Sequence, residues 1–494
     1  MYERVHHSLA VTLEQVNRAP RFGVRILERV DLAQLPLDAP LRPRAYGCPI
    51  PLTALQLRFW SQFIKDEKPL SRRVCASSVW VFGSLNVRVL QENILTLVQR
   101  HESLRTRFIT VGGSPRQHVD VVSEYHLDVI DLSALPRADA EREAMHRTQE
   151  FLDQRIDLSV GPLFEAKLWK LSDVEHVLIL VVDHMVSDGL SYGILNRELW
   201  GLYNQSSQGV SFSLPPLPVQ FGDYAIWQHQ TQVAWTQKHK SYWENHLSGK
   251  PRVEVPLDTE LDQRSLPTSA TLHIPLSGTA STNLSDLARR LGAPLYLLVM
   301  VVYVVVMSRW CNQEALLVEL PTHGRHNRPE LQNMFGFIAN FLYLRIAIEK
   351  GDTFHELLRR IQREISAAFE HQDYDRVPDI VDDCRTDISF HWRSANWSPP
   401  VRESRRVGDG NLKMRPFSTR SLPWPLKFWC AFYETRAGIF ATVEYRSDIL
   451  AARSLKAFRD SLRSVAEELA LRPQTRLDSV LTVNEFQARR NHDG

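Results

Sequence analysis

The chain has 494 residues, more than one hydrophobic core usually organises, so we expect more than one folded unit. Hydrophobic residues make up 44% and charged residues 23%, an ordinary globular composition that excludes disorder, collagen-like repeats or a coiled coil as the main architecture. The formal net charge of +2 excludes a strongly basic nucleic-acid-binding chain.

The cysteines and the apolar runs indicate the cellular location of the protein. The five cysteines lie far apart without paired spacing, which argues against a disulfide framework and against a zinc site. The longest apolar run, Leu295 to Met307, has thirteen residues, whereas a membrane helix needs roughly 20. We therefore expect a buried helix there and, since residues 1–13 lack a long apolar core, a cytoplasmic protein.

The first half of the chain predicts an α/β lobe. Residues 1–45 are expected to be an extension punctuated by prolines, and residues 46–220 the first lobe. The periodicity predicts helices at 52–64 and 93–100, a buried strand at Val177 to Val182, and a helix from Leu190.

The second half predicts another lobe of mixed strands and helices. After a proline-rich break, residues 221–270 are expected to connect the lobes, with a helix over most of 223–247, and residues 271–494 to form the second lobe. The elements predicted there are a strand near 271, helices from 283 and at 295–307, strands at 426–433 and 439–445, and a helix at 454–469.

The segment Asp183 to Ser191, DHMVSDGLS, follows the predicted buried strand and leads into a helix. Catalytic side chains favour such a place, because the strand fixes the backbone while its end leaves the side chain reachable. His184 can exchange a proton near neutral pH. Asp188, next to Gly189, can turn inward and pair with a cation. The alternative is a core histidine beside an N-cap aspartate, and the spacing alone leaves that alternative in place.

The pattern HxxxDG after an apolar strand resembles the signature of the condensation-domain superfamily of nonribosomal peptide synthetases. Further segments resemble the other motifs of that superfamily and follow in the same order. They are ALQLRFW at Ala54 to Trp60, RHESLRTRF at Arg100 to Phe108, DYAIW at Asp223 to Trp227, GFIANFLYLR at Gly336 to Arg345 and HQDY at His371 to Tyr374. One short motif would be weak evidence, but the ordered set identifies the chain as a member of the superfamily.

This resemblance implies an α/β fold of two chloramphenicol-acetyltransferase-like lobes, which form a V-shaped pseudo-dimer with a central tunnel. It implies an acyltransferase in which a peptidyl or polyketide chain arrives as a phosphopantetheine thioester on a carrier protein. An amine or a hydroxyl group then attacks the thioester, forming an amide or an ester. The phosphopantetheine belongs to the carrier protein, so no bound cofactor and no metal is expected, and neither nucleic acid nor a membrane is an expected partner.

By the same resemblance, His184 takes the proton of the attacking group or only orients that group. The amide of Gly189 is expected to help stabilise the oxyanion. Asp188 is expected to be structural and to pair with an arginine of the RHESLRT segment, with Arg105 the first choice and Arg100 the second.

Asn340 resembles a residue of the second lobe that faces the tunnel and holds substrate. A strand residue that bonds the backbone is an equally good interpretation. Arg325 and its neighbouring histidines are interpreted as loop residues. Residues 402–410 are predicted to be an exposed loop. Its three arginines, at 402–406, could contact an acidic carrier protein, and a merely solvated loop is the alternative.

The sequence departs from the superfamily pattern at Asp183, where the motif usually has a first histidine. Asp183, Asp188 and Ser191 also satisfy DxxxxDxxS, the signature of heterocyclisation domains, which generally lack a histidine at the position of His184. We interpret Asp183 as a structural replacement and keep heterocyclisation as an alternative. A second alternative is a catalytically silent recruitment platform of the same fold, although such members lose the histidine.

No carrier-protein serine motif of the GGxS type is found, and there is no room for an adenylation domain. The sequence therefore predicts a free-standing condensation enzyme that recruits an acyl or peptidyl carrier protein in trans. Free-standing members often join the carrier-bound chain to a small amine or alcohol, which can release the chain. We expect a diffusible acceptor of this kind.

Overall fold

The computed structural model describes residues 39–488 with several gaps, and all that follows refers to the described residues. The gaps are 46, 66–73, 155, 211–212, 250–252, 260–267, 327, 373, 375–385, 395–404, 408–410, 418–426, 436 and 481–484.

The first half of the chain alternates strands and helices, as the sequence predicts. Its strands are β1 (Ile50–Pro51), β2 (Val74–Phe82), β3 (Thr106–Val111), β4 (Ser114–Val119), β5 (Asp128–Asp131), β6 (Phe164–Ser172) and β7 (Glu175–Asp183). Its helices are α1 (Ala54–Lys65), α2 (Val87–Arg100), α3 (Arg137–Asp153) and α4 (Gly189–Ser207).

The long helix α5 (Phe221–Leu247) leads into the second lobe. The remaining helices are α6 (Gly278–Leu291), α7 (Leu295–Cys311), α8 (Phe354–Glu370) and α9 (Ala452–Leu471). The remaining strands are β8 (Ser269–Pro275), β9 (Ala315–Thr322), β10 (Asn340–Ala347), β11 (His391–Arg393), β12 (Arg405–Val407), β13 (Leu412–Pro416), β14 (Phe428–Thr435) and β15 (Gly438–Arg446).

Strand β7 lies inside the six-stranded sheet of the first lobe, whose order is β12-β13-β2-β7-β6-β5. It pairs antiparallel with β2 and β6. The apolar run of β7 is continuous because both faces of the strand are covered. Alternate residues of β7 enter two different cores: Val177, Ile179 and Val181 the core beside α3, and Leu178, Leu180 and Val182 the core that includes α2 and α4.

The second lobe is built around α7, which is buried on all sides as the sequence predicts. It packs against α9, α8 and α6 beside the four-stranded sheet β11-β14-β15-β8. No single helix among the described residues is long and apolar enough to cross a membrane. Helices α6 and α7 together pass that test by length and composition, but the chain bends by 119° between them.

Strands β12 and β13 come from the second half of the chain, yet they complete the sheet of the first lobe, where β13 pairs antiparallel with β2. The prediction of an exposed loop over 402–410 is therefore wrong for Arg405–Val407, which is β12. The rest of that segment lies outside the described residues. No local pattern indicates this exchange, because both strands are short and β2, the partner of β13, lies more than 300 residues earlier.

The segment before β1 is anchored where it is described. Arg44 forms ion pairs with Glu102, 2.9 Å away, and with Asp223, 2.8 Å away. The backbone oxygen of Ala39 accepts a hydrogen bond from the Trp227 indole at 3.0 Å. These contacts join residues 39–45 to two of the motif segments.

Candidate active site between the lobes

The segment that carries HxxxDG connects β7 to α4 by a tight turn. Strand β7 ends at Asp183, a three-residue 3-10 turn follows, and α4 begins at Gly189. Asp183 and Asp188 are buried, whereas His184 is half-buried. The strand end therefore places one titratable ring within reach while its neighbours hold the backbone.

The imidazole of His184 is oriented by its own turn. Its Nδ1 lies 3.1 Å from the backbone oxygen of Ser187, which can only accept a hydrogen bond. Nδ1 therefore carries the hydrogen, and in the neutral ring Nε2 carries the lone pair. The ring lies beside two phenylalanines that contact each other, with centroid distances of 6.5 Å to Phe59 and 5.8 Å to Phe337. One of these comes from each half of the chain, so His184 sits at the boundary between the lobes.

The carboxylate of Asp188 is buried and accepts hydrogen bonds on both oxygens. Oδ1 accepts from the amide of Ser191 at 2.9 Å and from its hydroxyl at 2.8 Å, which makes Asp188 the N-cap of α4. Oδ2 accepts from the amides of Ile338 at 3.0 Å and Ala339 at 3.1 Å. Asp188 thus fixes the start of α4 against the segment before β10.

The cation that pairs with Asp188 is Arg325, with Nη1 2.8 Å from Oδ2 and Nη2 3.2 Å from Oδ1. Burial by itself would raise the pKa of Asp188. The charge of Arg325, together with hydrogen bonds from Arg325 and Ser191, more than offsets it, so the pKa lies below its ordinary value. The aspartate is therefore a charged structural anchor.

The predicted partners of Asp188 are wrong. Arg105 instead donates to the backbone oxygen of Asp120 at 2.6 Å. Arg100 pairs with Glu198 at 3.1 Å, inside the first lobe. Arg325 lies in the loop after β9, as predicted, but it reaches across from the second lobe as a buried anchor, with Nη1 of Arg325 bonded to Oδ2 of Asp188.

Arg325 also donates to backbone oxygens of its own lobe, those of His323 at 2.9 Å and Met334 at 3.1 Å. Ser191 extends the connection, because its hydroxyl accepts from the amide of Gly336 at 3.0 Å. The arrangement gives the guanidinium more than one acceptor, as a buried charge requires.

Asp183 comes directly before the histidine, and Gly189 is the first residue of α4. The Asp183 carboxylate accepts from the amide of Met185 at 2.8 Å and caps the 3-10 turn. A methyl group on Gly189 would lie 3.4 Å from Arg393 Nη1, so the guanidinium of Arg393 covers the start of α4. A role of the Gly189 amide at the oxyanion stays a prediction.

Asn340, the first residue of β10, uses its side chain to bind backbone groups. Nδ2 donates to the backbone oxygen of Gln372 at 2.6 Å, and Oδ1 accepts from the amide of Phe341 at 2.8 Å. Asn340 also lines a small cavity between the lobes. The backbone-bonding interpretation therefore describes these contacts, and substrate contact stays a prediction.

No group of His, Cys, Asp and Glu that could hold a metal ion occurs in the described part of the chain. Cys48, Cys311 and Cys430 are free thiols there, and Cys384 lies outside it.

Sequence reasoning missed three residues that shape the site: Arg325, Phe337 and Arg393. Arg325 lies 137 positions after Asp188, and nothing in the local pattern THGRHNRPE links the two. Phe337 lies inside a motif segment, GFIANFLYLR, and its position there is the signal that could have found it. Arg393 ends a strand too short to be predicted from periodicity.

Known proteins resemble this chain over most of its length. A family model described as "Condensation domain" matches residues 49–490. The phosphinothricin tripeptide synthetase PhsC of Streptomyces viridochromogenes is 32% identical over 70% of this chain and 32% of its own length. The isonitrile lipopeptide synthase of Mycobacterium tuberculosis is 29% identical over 90% of this chain and 18% of its own length. The chain thus spans about a third or less of the length of these relatives.

Solved structures share the fold. The X-domain from teicoplanin biosynthesis has a TM-score of 0.77 at 22% identity and covers 89% of this chain and 99% of its own. SgcC5 of Streptomyces globisporus has a TM-score of 0.70 at 19% identity and covers 86% of this chain and 100% of its own. The predicted fold class, two chloramphenicol-acetyltransferase-like α/β lobes, is confirmed. The chain belongs to the condensation-domain family.

Proposed function

We propose that this chain transfers an acyl chain, peptidyl or polyketide, from the phosphopantetheine thioester of a carrier protein to an amine or a hydroxyl group. The observation that carries the proposal is the placement of His184. Its Nδ1 is held by the Ser187 oxygen, so that Nε2 is the basic nitrogen, at the boundary where the two lobes meet. A base in that position suits both kinds of acceptor, because each must lose a proton as it attacks.

In the proposed step, the acceptor nitrogen or oxygen forms a bond to the thioester carbonyl carbon, and its proton passes to His184 Nε2 or is oriented by it. The carbonyl oxygen carries negative charge, which in this proposal the Gly189 amide stabilises, since a helix N-terminus favours negative charge and α4 begins at Gly189. The carbon–sulfur bond then breaks, and the pantetheine thiol leaves with the proton. General-base help of this kind is worth ~10²–10⁴ in rate.

Heterocyclisation is less well supported as an alternative. The Asp183 carboxylate accepts from Met185, and the Ser191 hydroxyl is bonded to Asp188 and Gly336. These contacts support capping and anchoring roles for two of the three residues of DxxxxDxxS. Retention of His184 points the same way.

A recruitment platform is the second candidate, and one observation favours it. An X-domain with a TM-score of 0.76 to this chain has been solved in complex with OxyB. Platforms of this fold lose the motif histidine, whereas this chain keeps His184, Asp188 and Gly189. We therefore rank the recruitment platform below the enzyme as a candidate function.

Carrier recruitment in trans, release of the product and a cytoplasmic location belong to the same proposal. Recruitment is tested with a separately purified carrier protein loaded with an acyl-phosphopantetheine group. Turnover on that loaded carrier, together with a product free in solution, is the expected result. A product that stays attached to the carrier would contradict release.

The first experiment measures product mass by liquid chromatography and mass spectrometry. The protein is mixed with acyl-pantetheine thioesters or the loaded carrier and with a panel of amines and alcohols, and His184→Ala, confirmed folded, runs in parallel. A new amide or ester that vanishes in the variant is expected. A product about 18 mass units lighter than the adduct, the mass of one water, would favour heterocyclisation, and equal behaviour of both proteins would favour the platform.

A further inference from the structure

The turn that carries His184 is held from inside and from outside. Inside the turn, the Asp183 carboxylate accepts from the Met185 amide at 2.8 Å, and the Ser187 hydroxyl donates to the Asp183 backbone oxygen at 2.9 Å. From outside, the Gln56 side chain on α1 donates from Nε2 to the Met185 backbone oxygen at 2.7 Å. The inner bonds fix the shape of the turn, whereas the bond from Gln56 ties the turn to a helix far earlier in the chain.

The carboxamide of Gln56 is fully buried, and its partners set its orientation. Its Oε1 accepts from the Thr53 amide at 3.0 Å, and its Nε2 also donates to Gln117 Oε1 at 3.3 Å. A backbone amide can only donate and a backbone oxygen can only accept, so Oε1 faces Thr53 and Nε2 faces Met185. The hydrogen-bond donor is therefore directed at the histidine turn.

Helix α1 brings a second side chain to the same place. Phe59 follows Gln56 by three positions, so the two side chains share one face of the helix. The Phe59 ring lies 6.5 Å from the His184 imidazole and 5.2 Å from the Phe337 ring, between centroids. Helix α1 thus holds the backbone of the turn through Gln56 and has Phe59 beside its ring.

The start of α1 has attachments that do not depend on the Gln56 side chain. The Thr53 hydroxyl oxygen accepts from the Gln56 backbone amide at 3.2 Å, as an N-cap does. The Ala54 amide donates to Gln228 Oε1 on α5 at 3.1 Å, and Gln117 donates to the Pro51 backbone oxygen at 2.7 Å. Replacing the Gln56 side chain should therefore release the turn without detaching the helix.

We propose that Gln56 is a positioning residue for the acyl transfer, and that its bond to Met185 fixes the position of the His184 imidazole. The inference rests on the proposed function, since it concerns the base of that reaction. A general base must lie within about 2.6–3.2 Å of the atom whose proton it takes. A misplacement of about 1 Å can cost ~10² in rate. A small shift of the turn therefore costs rate even when His184 itself is unchanged.

The first variant is Gln56→Met, which keeps the length of the side chain and removes the donor. With an acyl-pantetheine thioester and one amine, we expect kcat to fall about 10- to 100-fold while KM stays within about twofold, because binding is kept and the base is misplaced. Product formation is followed by mass spectrometry. Rates are measured well below the melting temperature of each protein, so that a smaller folded fraction does not contribute.

Gln56→Glu tests the donor itself, because a protonated carboxyl group can donate to the Met185 oxygen and a carboxylate cannot. Burial favours the protonated form, and none of the described hydrogen-bond partners of Gln56, namely Thr53, Gln117 and Met185, is titratable. We expect its kcat, relative to the wild type at the same pH, to rise towards one between about pH 9 and about pH 6. A ratio as low as that of Gln56→Met at every pH would contradict the role of the donor.

Gln117→Met is the matched control. Gln117 is also buried, and its bond to the Pro51 backbone oxygen has the same length, 2.7 Å, as the bond from Gln56 to Met185. The melting temperature should fall about as much as in Gln56→Met, because each variant loses a buried hydrogen bond. We expect kcat to stay within about threefold of the wild type, because Gln56 keeps its bond to Met185. A fall equal to that of Gln56→Met would overturn the inference, since the rate would follow the packing around α1.

Crystal structures of the wild type, Gln56→Met and Gln117→Met give the position of His184 without any substrate. We expect the imidazole to move by about 0.5 Å or more, or to occupy two positions, in Gln56→Met alone. If the wild type transfers no acyl group but the imidazole moves in this way, the proposed function falls and the positioning role stands. An imidazole that stays in place in Gln56→Met would overturn the inference, whatever the rates.

Discussion

Two buried carboxylates associated with α4 are held in different ways. Glu198, inside the helix, pairs with Arg100 at 3.1 Å and lies 2.8 Å from His101 Nε2, both from the same lobe and from one recognised motif. Asp188, the N-cap, pairs with Arg325 from the other lobe. Helix α4 is thereby fixed to its own lobe at Glu198 and to the second lobe at its start, next to the turn that carries His184.

The difference between the two carboxylates shows that the charged aspartate of HxxxDG, Asp188, acts across the boundary between the lobes. Burial alone would raise the pKa of Glu198, but hydrogen bonds and charge from His101 and Arg100 outweigh burial, so the pKa lies below its ordinary value. The same balance holds for Asp188, but its partner must arrive across the lobe boundary. Losing the cross-lobe pair should therefore affect both folding and the geometry of the site.

The largest expected effect comes from Arg325→Met. It leaves the Asp188 carboxylate buried without this cation, which should lower the free energy of unfolding by about 3–5 kcal/mol, measured by urea denaturation. Product formation should fall as well, since the start of α4 is no longer fixed. The double variant Asp188→Asn with Arg325→Met should recover part of the stability, because no uncompensated charge remains. A loss below about 1 kcal/mol in the single variant would contradict the anchor.

His184→Ala is expected to lower the rate of product formation far more than it lowers stability, in contrast to Arg325→Met. The expected cost of His184→Ala is ~10²–10⁴ in the rate of product formation, because the variant lacks the proposed general base. Its expected cost in unfolding free energy is only about 1 kcal/mol, the usual value of a hydrogen bond such as the one to Ser187. Mass spectrometry and urea denaturation on the same preparations check both. A large fall in stability with a proportionate fall in rate would make the histidine a core residue.

Arg100→Met tests the carboxylate held within one lobe. We expect a loss of about 1–3 kcal/mol in unfolding free energy, smaller than for Arg325→Met, because Glu198 keeps its contact with His101. Arg88→Met is the control on the same helix, α2. Its ion pair with Glu92 is largely exposed and is worth about 0–1 kcal/mol. Equal losses in Arg100→Met and Arg325→Met would remove the distinction between the two carboxylates.

Asp183→Asn should have the smallest effect. The asparagine keeps a side-chain oxygen to accept from the Met185 amide, so stability should change by less than about 1 kcal/mol. Product mass and rate should stay close to the wild type. Loss of a dehydration step in this variant, with condensation intact, would instead give Asp183 the role expected of it in heterocyclisation.

Much of the local structure could be predicted. The helices at α1, α5 and α7 lie where the periodicity placed them, and α2 and α6 begin earlier than expected. The prediction of an exposed loop over 402–410 was wrong at β12. A three-residue strand carries no usable periodicity, because it is defined by the neighbouring strand with which it pairs.

The family, the order of the motifs and the strand–turn–helix segment that carries His184 could all be predicted from the amino-acid sequence. These features are local, since a buried strand, a capping aspartate and an apolar helix each leave their pattern in consecutive residues. The packing of the lobes is what brings Arg325 to Asp188 and β13 to β2. A charge or a polar atom takes its partner by distance in space, and distance between residues far apart in the chain is set by the packing of the two lobes.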